Sequence, residues 1–326
     1  MKKNEVIIVI LAVVALASLG GAYILRPKGG TGDRTLVVST TTSLYDTGVL
    51  DAIEEVFEAE NNADIYFISV GTGLAITHAQ RGDADMILVH APSKELAFMK
   101  GGHGVNRKII AYNFFSIIGP NDDPAGLNGL PPIKALSVIV QKGRAGETLW
   151  VSRGDDSGTH TKEKGLWNAA GFDVSSLRNE VWYREAGAGM GKTLQIAEEL
   201  DAYMLTDMGT YLKYSTDELV SSDVHVGTGE ELINVYSAIA VNPNSQSDVN
   251  FYDAIEFIGF LASPSGQEIF KTYGVESYDR ALFNPAVQLL KDRDDAATAE
   301  WVEAAAFFEG SECPPEYRAG EKSLYD

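Results

Sequence analysis

The sequence predicts an α/β protein of two lobes, each built on a mostly parallel sheet, with two crossover strands as the hinge between them. Three observations predict this class. Strand-length apolar runs alternate with segments of helical periodicity along most of the chain, the pattern of βαβ units. Two apolar runs, Arg107–Pro120 and Leu232–Pro243, are much longer than an ordinary strand of roughly 5–6 residues, and a strand that long can cross from one lobe into another. The chain has 326 residues, a length that suits about two domains.

In chain order, the N-terminus comes first. Met1-Lys2-Lys3 is basic, and Val6 to Leu25 carries no charge. Roughly 20 apolar residues span a bilayer core of about 30 Å. Ala15-Leu16-Ala17 also offers an A-x-A cleavage site. No cysteine follows, which excludes a lipid anchor there. Residues 1–33 therefore read as an export signal or uncleaved membrane anchor with a short "PKGGTGD" linker, and the lysine pair keeps the bulk of the chain outside the cytoplasm.

The alternation then begins. "TLVVST" is a strand and "GVLDAIEEVFEAEN" a helix; "DIYFISVG" and "GLAITHAQRGD" repeat the pair, as do "ADMILVHA" and "SKELAFMKGG". After the first long strand, "PPIKALSVIVQKG", "TLWVSRGD", "KEKGLWNAAG", "EVWYRE" and "AYMLTD" continue it in a second unit. The second long strand makes the return, and helical segments follow. The resulting layout is discontinuous, with residues 34–116 plus 236–326 in lobe one and 117–235 in lobe two. Two strands joining two α/β lobes make a hinge, and the cleft between such lobes closes on a ligand.

Composition excludes several function classes. The net charge is −20, and nucleic-acid binding needs a basic footprint instead. So acidic a body is a solubilising surface, suited also to high salt. One cysteine, Cys313, permits neither an internal disulfide nor a cysteine zinc site. The five histidines are scattered, without metal spacing. His90 in "LVHAP" is the best placed of them, at a strand end, yet a lone His is more often structural than ligand-binding. There is no GxSxG elbow.

The strand-to-helix turns carry what chemistry there is, because ligands of open parallel sheets sit beyond the carboxyl ends of the strands. Ser39, Thr40, Thr41, Thr42 and Ser43 are consecutive hydroxyl residues where a helix cap needs one. Gly71-Thr72-Gly73 follows the next strand. Ser152–His160 combines Arg153 with Ser157, Gly158 and Thr159; the arginine can brace the turn through Asp155 or Asp156, or offer its fork of donors to an oxyanion. Ala186–Thr193 and Leu205–Thr210 complete the set. Converging helix N-termini, exposed N–H groups and hydroxyls form an anion site. Donors alone prefer a fully deprotonated tetrahedral oxyanion. A phosphate that keeps a proton needs an acceptor, for which Asp155, Asp156 or Asp207 would serve, so both classes stay open.

Ala186–Thr193 ("AGAGMGKT") also fits the P-loop pattern in its Ala-tolerant form, between a strand and a helix. A nucleotide-dependent enzyme is the reading from another class. Against it, "AYMLTD" is short and polar for a Mg-binding strand, and an exported domain has no ATP supply.

Taken in order, "STTTS", "VGTG", "RGDADMILVHAP", "GHGVNRKIIAYNFFSIIGPNDDPAG", "WVSRGDDSGTH", "WYREAGAGMGKTL", "AYMLTDMGTY" and "IAVNP" resemble the tungstate-binding proteins of ABC-type uptake systems. The resemblance runs from about Leu36 to Pro243 and continues more weakly to "GVESYDRALFNP". It implies a type II periplasmic-binding-protein fold and a monomer with no cofactor and no catalysis. The ligand would be tungstate with molybdate as near competitor, and a membrane permease with its cytoplasmic ATPase would be the partners. A phosphate or sulfate receptor of the same fold is the alternative within the class. Carried over by position, Thr41, Thr42, Ser43 and Thr72 would face the anion from lobe one. Arg153, Ser157, Gly158 and Thr159 would face it from lobe two, with the backbone amides of Gly189, Met190 and Gly191 nearby. Lys192 would play no part. The chain departs from the family in its N-terminal segment and in a C-terminal extension, residues 289–326, whose role the resemblance leaves open.

Overall fold

The computed structural model describes residues 34–325; the N-terminal segment expected at 1–33 lies outside them. The strands are β1 (Arg34–Thr41), β2 (Ala63–Val70), β3 (Met86–Val89), β4 (Gly104–Gly119), β5 (Trp150–Ser152), β6 (Tyr183–Glu185), β7 (Tyr203–Asp207), β8 (Asp223–Val226), β9 (Ile233–Val241) and β10 (Asn284–Pro285). Their order is β2-β1-β3-β9-β4-β7-β5-β6, with β8 and β10 also on β4.

β4 divides this path into two halves. Its last pair with β9 is Phe114 with Ile233, and its first with β7 is Phe115 with Asp207. On one side of that point lies a core of Leu36, Val38, Ile53, Phe57, Phe257 and neighbours; on the other lies one of Phe115, Ile117, Trp150, Trp167 and Tyr203. β9 pairs only with β3 and β4 of the first half, so the return crossing is made by the segment leading up to Leu232. Leu232 is buried in the second core, while the next residue, Ile233, is buried in a cluster of the first half. The halves thus meet at Phe114/Phe115 and Leu232/Ile233. Which core each side chain enters sets these points, and an unbroken apolar run does not display it.

The βαβ strands are parallel, β1 to β2 and β3, and β5 to β6 and β7, whereas β4 and β9 run antiparallel to their neighbours. The helices that follow the strands are α1 (Thr42–Tyr45), α2 (Val49–Asn61), α3 (Thr72–Arg81), α4 (Pro92–Lys100), α5 (Pro132–Arg144), α6 (Gly158–Ala169), α7 (Val174–Leu177), α8 (Met190–Glu199) and α9 (Met208–Thr216). α8 begins three residues before the helix read from "TLQIAEEL", which places Met190 and Gly191 in its first turn.

Beyond β9, α10 (Phe251–Ala262) and α11 (Pro264–Thr272) pack on the first half, followed by α12 (Val275–Tyr278), α13 (Val287–Asp292) and α14 (Ala296–Ala306). Leu289, Ala299, Val302 and Ala306 of the C-terminal extension close over Ile109, Ile233 and Val235. Among the described residues no helix is long and apolar enough to cross a membrane.

Candidate functional site

Register decides what the strand ends share. Thr41 is paired with Val70 and Thr40 with Leu88, so β1, β2 and β3 deliver Thr42-Ser43, Gly71-Thr72 and His90 to one edge. In the second half β5 and β6 run parallel to β7, whose last residue, Asp207, is opposite Phe115 at the crossing point. The carboxyl ends of both sets of parallel strands therefore face each other over the junction.

The five hydroxyls of the first turn divide. Ser39 Oγ lies 3.1 Å from His78 Nδ1 on α3, and Thr40 Oγ1 donates to the Leu88 carbonyl of β3 at 3.1 Å, so both are engaged within the first half. Thr41 stands at the N-cap of α1 but makes no side-chain cap bond; its Oγ1 lies 3.4 Å from Ser43 Oγ. Ser43 Oγ in turn lies 3.4 Å from His90 Nε2. Thr42 is half-buried beside them.

His90 is a residue that sequence reasoning left out of the site. Its Nδ1 is 2.7 Å from Asn234 Oδ1. An amide oxygen only accepts, so Nδ1 carries the proton and Nε2 keeps a lone pair. Burial drives its pKa down to about 4, so the ring is neutral at pH 7. It stacks on Tyr236, centroids 4.9 Å apart. The only signal in the sequence was its place at the end of "LVHAP".

From the second half, Gly158 comes against that imidazole: a Cβ built on Gly158 would lie 2.6 Å from His90 Nε2. Gly158 opens α6. Ser157 Oγ caps the helix by accepting from His160 N at 3.2 Å, and the N–H groups of Gly158 and Thr159 have no carbonyl within the helix. Below, Glu163 pins α6 to the sheet. Its buried carboxylate accepts from Trp150 Nε1 (2.9 Å), Trp167 Nε1 (3.1 Å), Tyr183 Oη (2.8 Å) and Ser152 Oγ (2.8 Å).

Arg153 is buried and does brace its turn, since Nη2 donates to Asp155 Oδ2. Among the described residues its Nε has no partner; nor have Thr72 Oγ1 and Thr159 Oγ1, all of them buried. An unsatisfied buried donor costs about 1–3 kcal/mol, and these three, among other buried polar atoms without a partner, stand at strand-to-helix turns of the two halves. The nearby carboxylates are engaged. Asp207 accepts from Thr210 N at 2.9 Å and from Thr210 Oγ1 at 3.0 Å, and Asp155 accepts from Ser157 N at 3.2 Å. Burial raises the pKa of Asp207, and burial and then the Asp207 charge raise that of Asp46, with Arg153 opposing both shifts.

Gly189, Met190 and Gly191 form the start of α8, which has no side-chain cap. Their loop is tied to the arginine turn by Gly187 N donating to the Arg153 carbonyl at 2.8 Å. Gly189 is exposed, the Met190 side chain is buried in a second-half core, and a Cβ on Gly191 would strike Tyr214 Oη at 1.8 Å. Their side chains supply no hydrogen-bond donor, so what the three can offer is the N–H groups of the helix start. Lys192 is exposed, and Thr193 Oγ1 donates to the Gly189 carbonyl at 3.0 Å, as helix hydroxyls often do. A surface cavity of about 370 Å³ adjoins the arginine turn, lined by second-half residues including Gly154, Asp156, His160, Lys164, Arg178 and Glu185.

With this geometry in hand, comparison with known proteins decides the family. Residues 27–265 match the PBP superfamily domain. The tungstate-binding protein TupA of Peptoclostridium acidaminophilum is 35 % identical over 87 % of this chain and 99 % of its own length. The chain belongs to the family of tungstate-binding proteins of ABC uptake systems. A candidate anion-binding protein of an ABC transporter from Haloferax volcanii is 46 % identical, over 76 % of this chain and 71 % of its own. The solved tungstate-binding protein TupA of Desulfovibrio alaskensis is 37 % identical and superposes with a TM-score of 0.67, covering 77 % of this chain and 98 % of that one. As a member of the tungstate-binding family this chain is a transport protein rather than an enzyme, and the two-lobed periplasmic-binding-protein fold is its fold.

Proposed function

We propose that the chain captures tungstate, with molybdate as near competitor, in the cleft between its halves and delivers it to an ABC permease driven by a cytoplasmic ATPase. The observation that carries this is the set of buried, unpartnered donors, Thr72 Oγ1 in the first half and Arg153 Nε and Thr159 Oγ1 in the second. Thr41, Thr42 and Ser43 add hydroxyls from the first half. Ser157, Gly158 and the amides of Gly189, Met190 and Gly191 add donors from the second. Closure brings the donors of both halves onto one tetrahedral anion. The engagement of Asp155 and Asp207 by their own turns supports a fully deprotonated oxyanion over a phosphate that must donate a proton. The apolar segment Val6–Leu25 serves export and holds the protein at the outer face of the membrane, where it works as a monomer.

Calorimetric titration with tungstate, molybdate, sulfate and phosphate tests the reading. Tungstate and molybdate are expected to bind alike and sulfate and phosphate weakly. No heat with any of the four overturns it, and phosphate binding at neutral pH replaces the ligand class. Lys192→Ala is expected to leave tungstate binding unchanged, whereas a nucleotide enzyme would lose its ligand with that lysine.

A further inference from the structure

The first half reaches across the cleft at a second point that the proposed anion donors do not explain. Lys94 Nζ, on the first turn of α4, donates to the backbone carbonyl of Asp156 at 2.8 Å. Asp156 belongs to the turn that carries Arg153 and Ser157, and it stands in the left-handed region at φ 56°. Three polar atoms of this residue are held. Its N–H donates to His160 Nδ1 at 3.0 Å, its Oδ1 meets Lys164 Nζ at 2.9 Å, and its carbonyl is taken by Lys94. The first two partners belong to the same half, on α6; the third comes from the other.

Lys94 is also firmly based. Its neighbour Glu95 is wholly buried and accepts from Ala91 N, at the start of α4, at 2.7 Å. The other Glu95 oxygen pairs with the buried Arg107 at 2.8 Å. Arg107 Nη1 in turn donates to the carbonyls of Ala306 (2.9 Å) and Glu312 (2.6 Å) in the C-terminal extension. A continuous chain of contacts therefore runs from the extension through Arg107 and Glu95 to the helix that presents Lys94. A long flexible ammonium gains most from a hydrogen bond when its base is fixed.

We propose that Lys94 is a cross-cleft latch: by holding the Asp156 carbonyl it keeps the turn bearing Arg153 and Ser157 against the first half, and its release sets the rate at which the bound oxyanion leaves. This rests on the cleft being the oxyanion site. Opening must break the Lys94 contact, whereas a ligand entering the open form meets its donors before the latch engages. The latch thus acts on dissociation, where most affinity differences reside, and not on association. The C-terminal extension acquires a role as the anchor of the latch helix.

The test is made on the full chain. Radiolabelled tungstate is bound, chased with unlabelled tungstate and followed by rapid filtration, with association measured separately. Lys94→Met is expected to speed dissociation about tenfold and to change association less than about twofold, the fold-change of one lost hydrogen bond to a charged group. Lys100→Met, at the exposed end of the same helix, serves as the control and is expected to match the unsubstituted protein. Unchanged dissociation in Lys94→Met overturns the latch. If the unsubstituted chain binds no tungstate, the ligand reading fails, and a ligand-free measurement decides the latch. Spin labels at the exposed positions Glu60→Cys and Val181→Cys report the distance between halves. Adding Lys94→Met is expected to shift that distribution to longer distances; an identical distribution overturns the proposal.

Discussion

His90 and Gly158 touch across the cleft, the imidazole of one half occupying the space where any side chain on the first residue of α6 would begin. Glycine at this position is required by close approach rather than by backbone conformation. Gly158→Ala is therefore expected to hold the halves apart. Its effect on the helix alone is favourable, by up to about 1 kcal/mol. The variant should keep or gain thermal stability while tungstate affinity falls by about 1–3 kcal/mol, the range of overpacking strain. Paired melting and calorimetric titrations check this; a loss in both would mean that Gly158 serves the fold instead.

Arg153 holds Asp155 with one arm and leaves Nε without a partner. Lysine carries the charge but neither the planar fork nor the Nε donor. Arg153→Lys is expected to weaken tungstate binding at least about 30-fold, or roughly 2 kcal/mol, the worth of a charge-assisted hydrogen bond. Titration of the folded variant measures it, and affinity equal to that of the unsubstituted protein would remove Arg153 from the site.

The buried His90 makes stability depend on pH with a defined sign. Its pKa is about 4 in the native state against an ordinary 6.5, so between those values the unfolded chain binds the extra proton. The contribution is fully present above pH 6.5 and is lost as pH falls toward 4. About 3 kcal/mol is at stake. His90→Gln, which retains a donor and an acceptor, should lose correspondingly less over that range. Urea midpoints at half-unit pH steps give the comparison, and parallel curves for the two proteins would refute the assignment.

The C-terminal extension is tied to β4 by Glu312. One carboxylate oxygen meets Lys108 Nζ at 2.7 Å and the other accepts from Ile109 N at 2.9 Å, both in largely buried surroundings. Glu312→Ala strands a cation and a strand N–H together. It is expected to destabilise the protein by about 3 kcal/mol, read as a lower denaturant midpoint at unchanged slope. A change under about 0.5 kcal/mol would make the extension an appendage rather than part of the first half.

Much of the architecture was legible in the residues. The six βαβ strands, the long β4 and the donor-rich turns lie where periodicity and turn chemistry put them. Those signals are local, needing only neighbours in sequence. The points where the halves meet were less legible, because Phe114 and Phe115, or Leu232 and Ile233, are equally apolar and differ only in which core receives them. "EAGAGMGKT" shows the same limit. Its glycines announce a loop that binds through its backbone, but not that Gly191 makes room for Tyr214 or that the Thr193 hydroxyl turns back onto its own helix.

By itself, then, the sequence determined the fold class and the turns that carry donors, since each follows from residue types at short spacing, and the family entered through the resemblance of its ordered motifs. Tertiary structure alone decided which groups of those turns are free to act. It turned Ser39 onto α3 and Thr40 onto β3, left Thr72, Thr159 and the Arg153 Nε unpartnered, and brought His90 and Lys94 onto a turn more than 60 residues away. Whether a polar group binds a ligand or a neighbour depends on what lies within about 3 Å of it, and only the folded chain sets that.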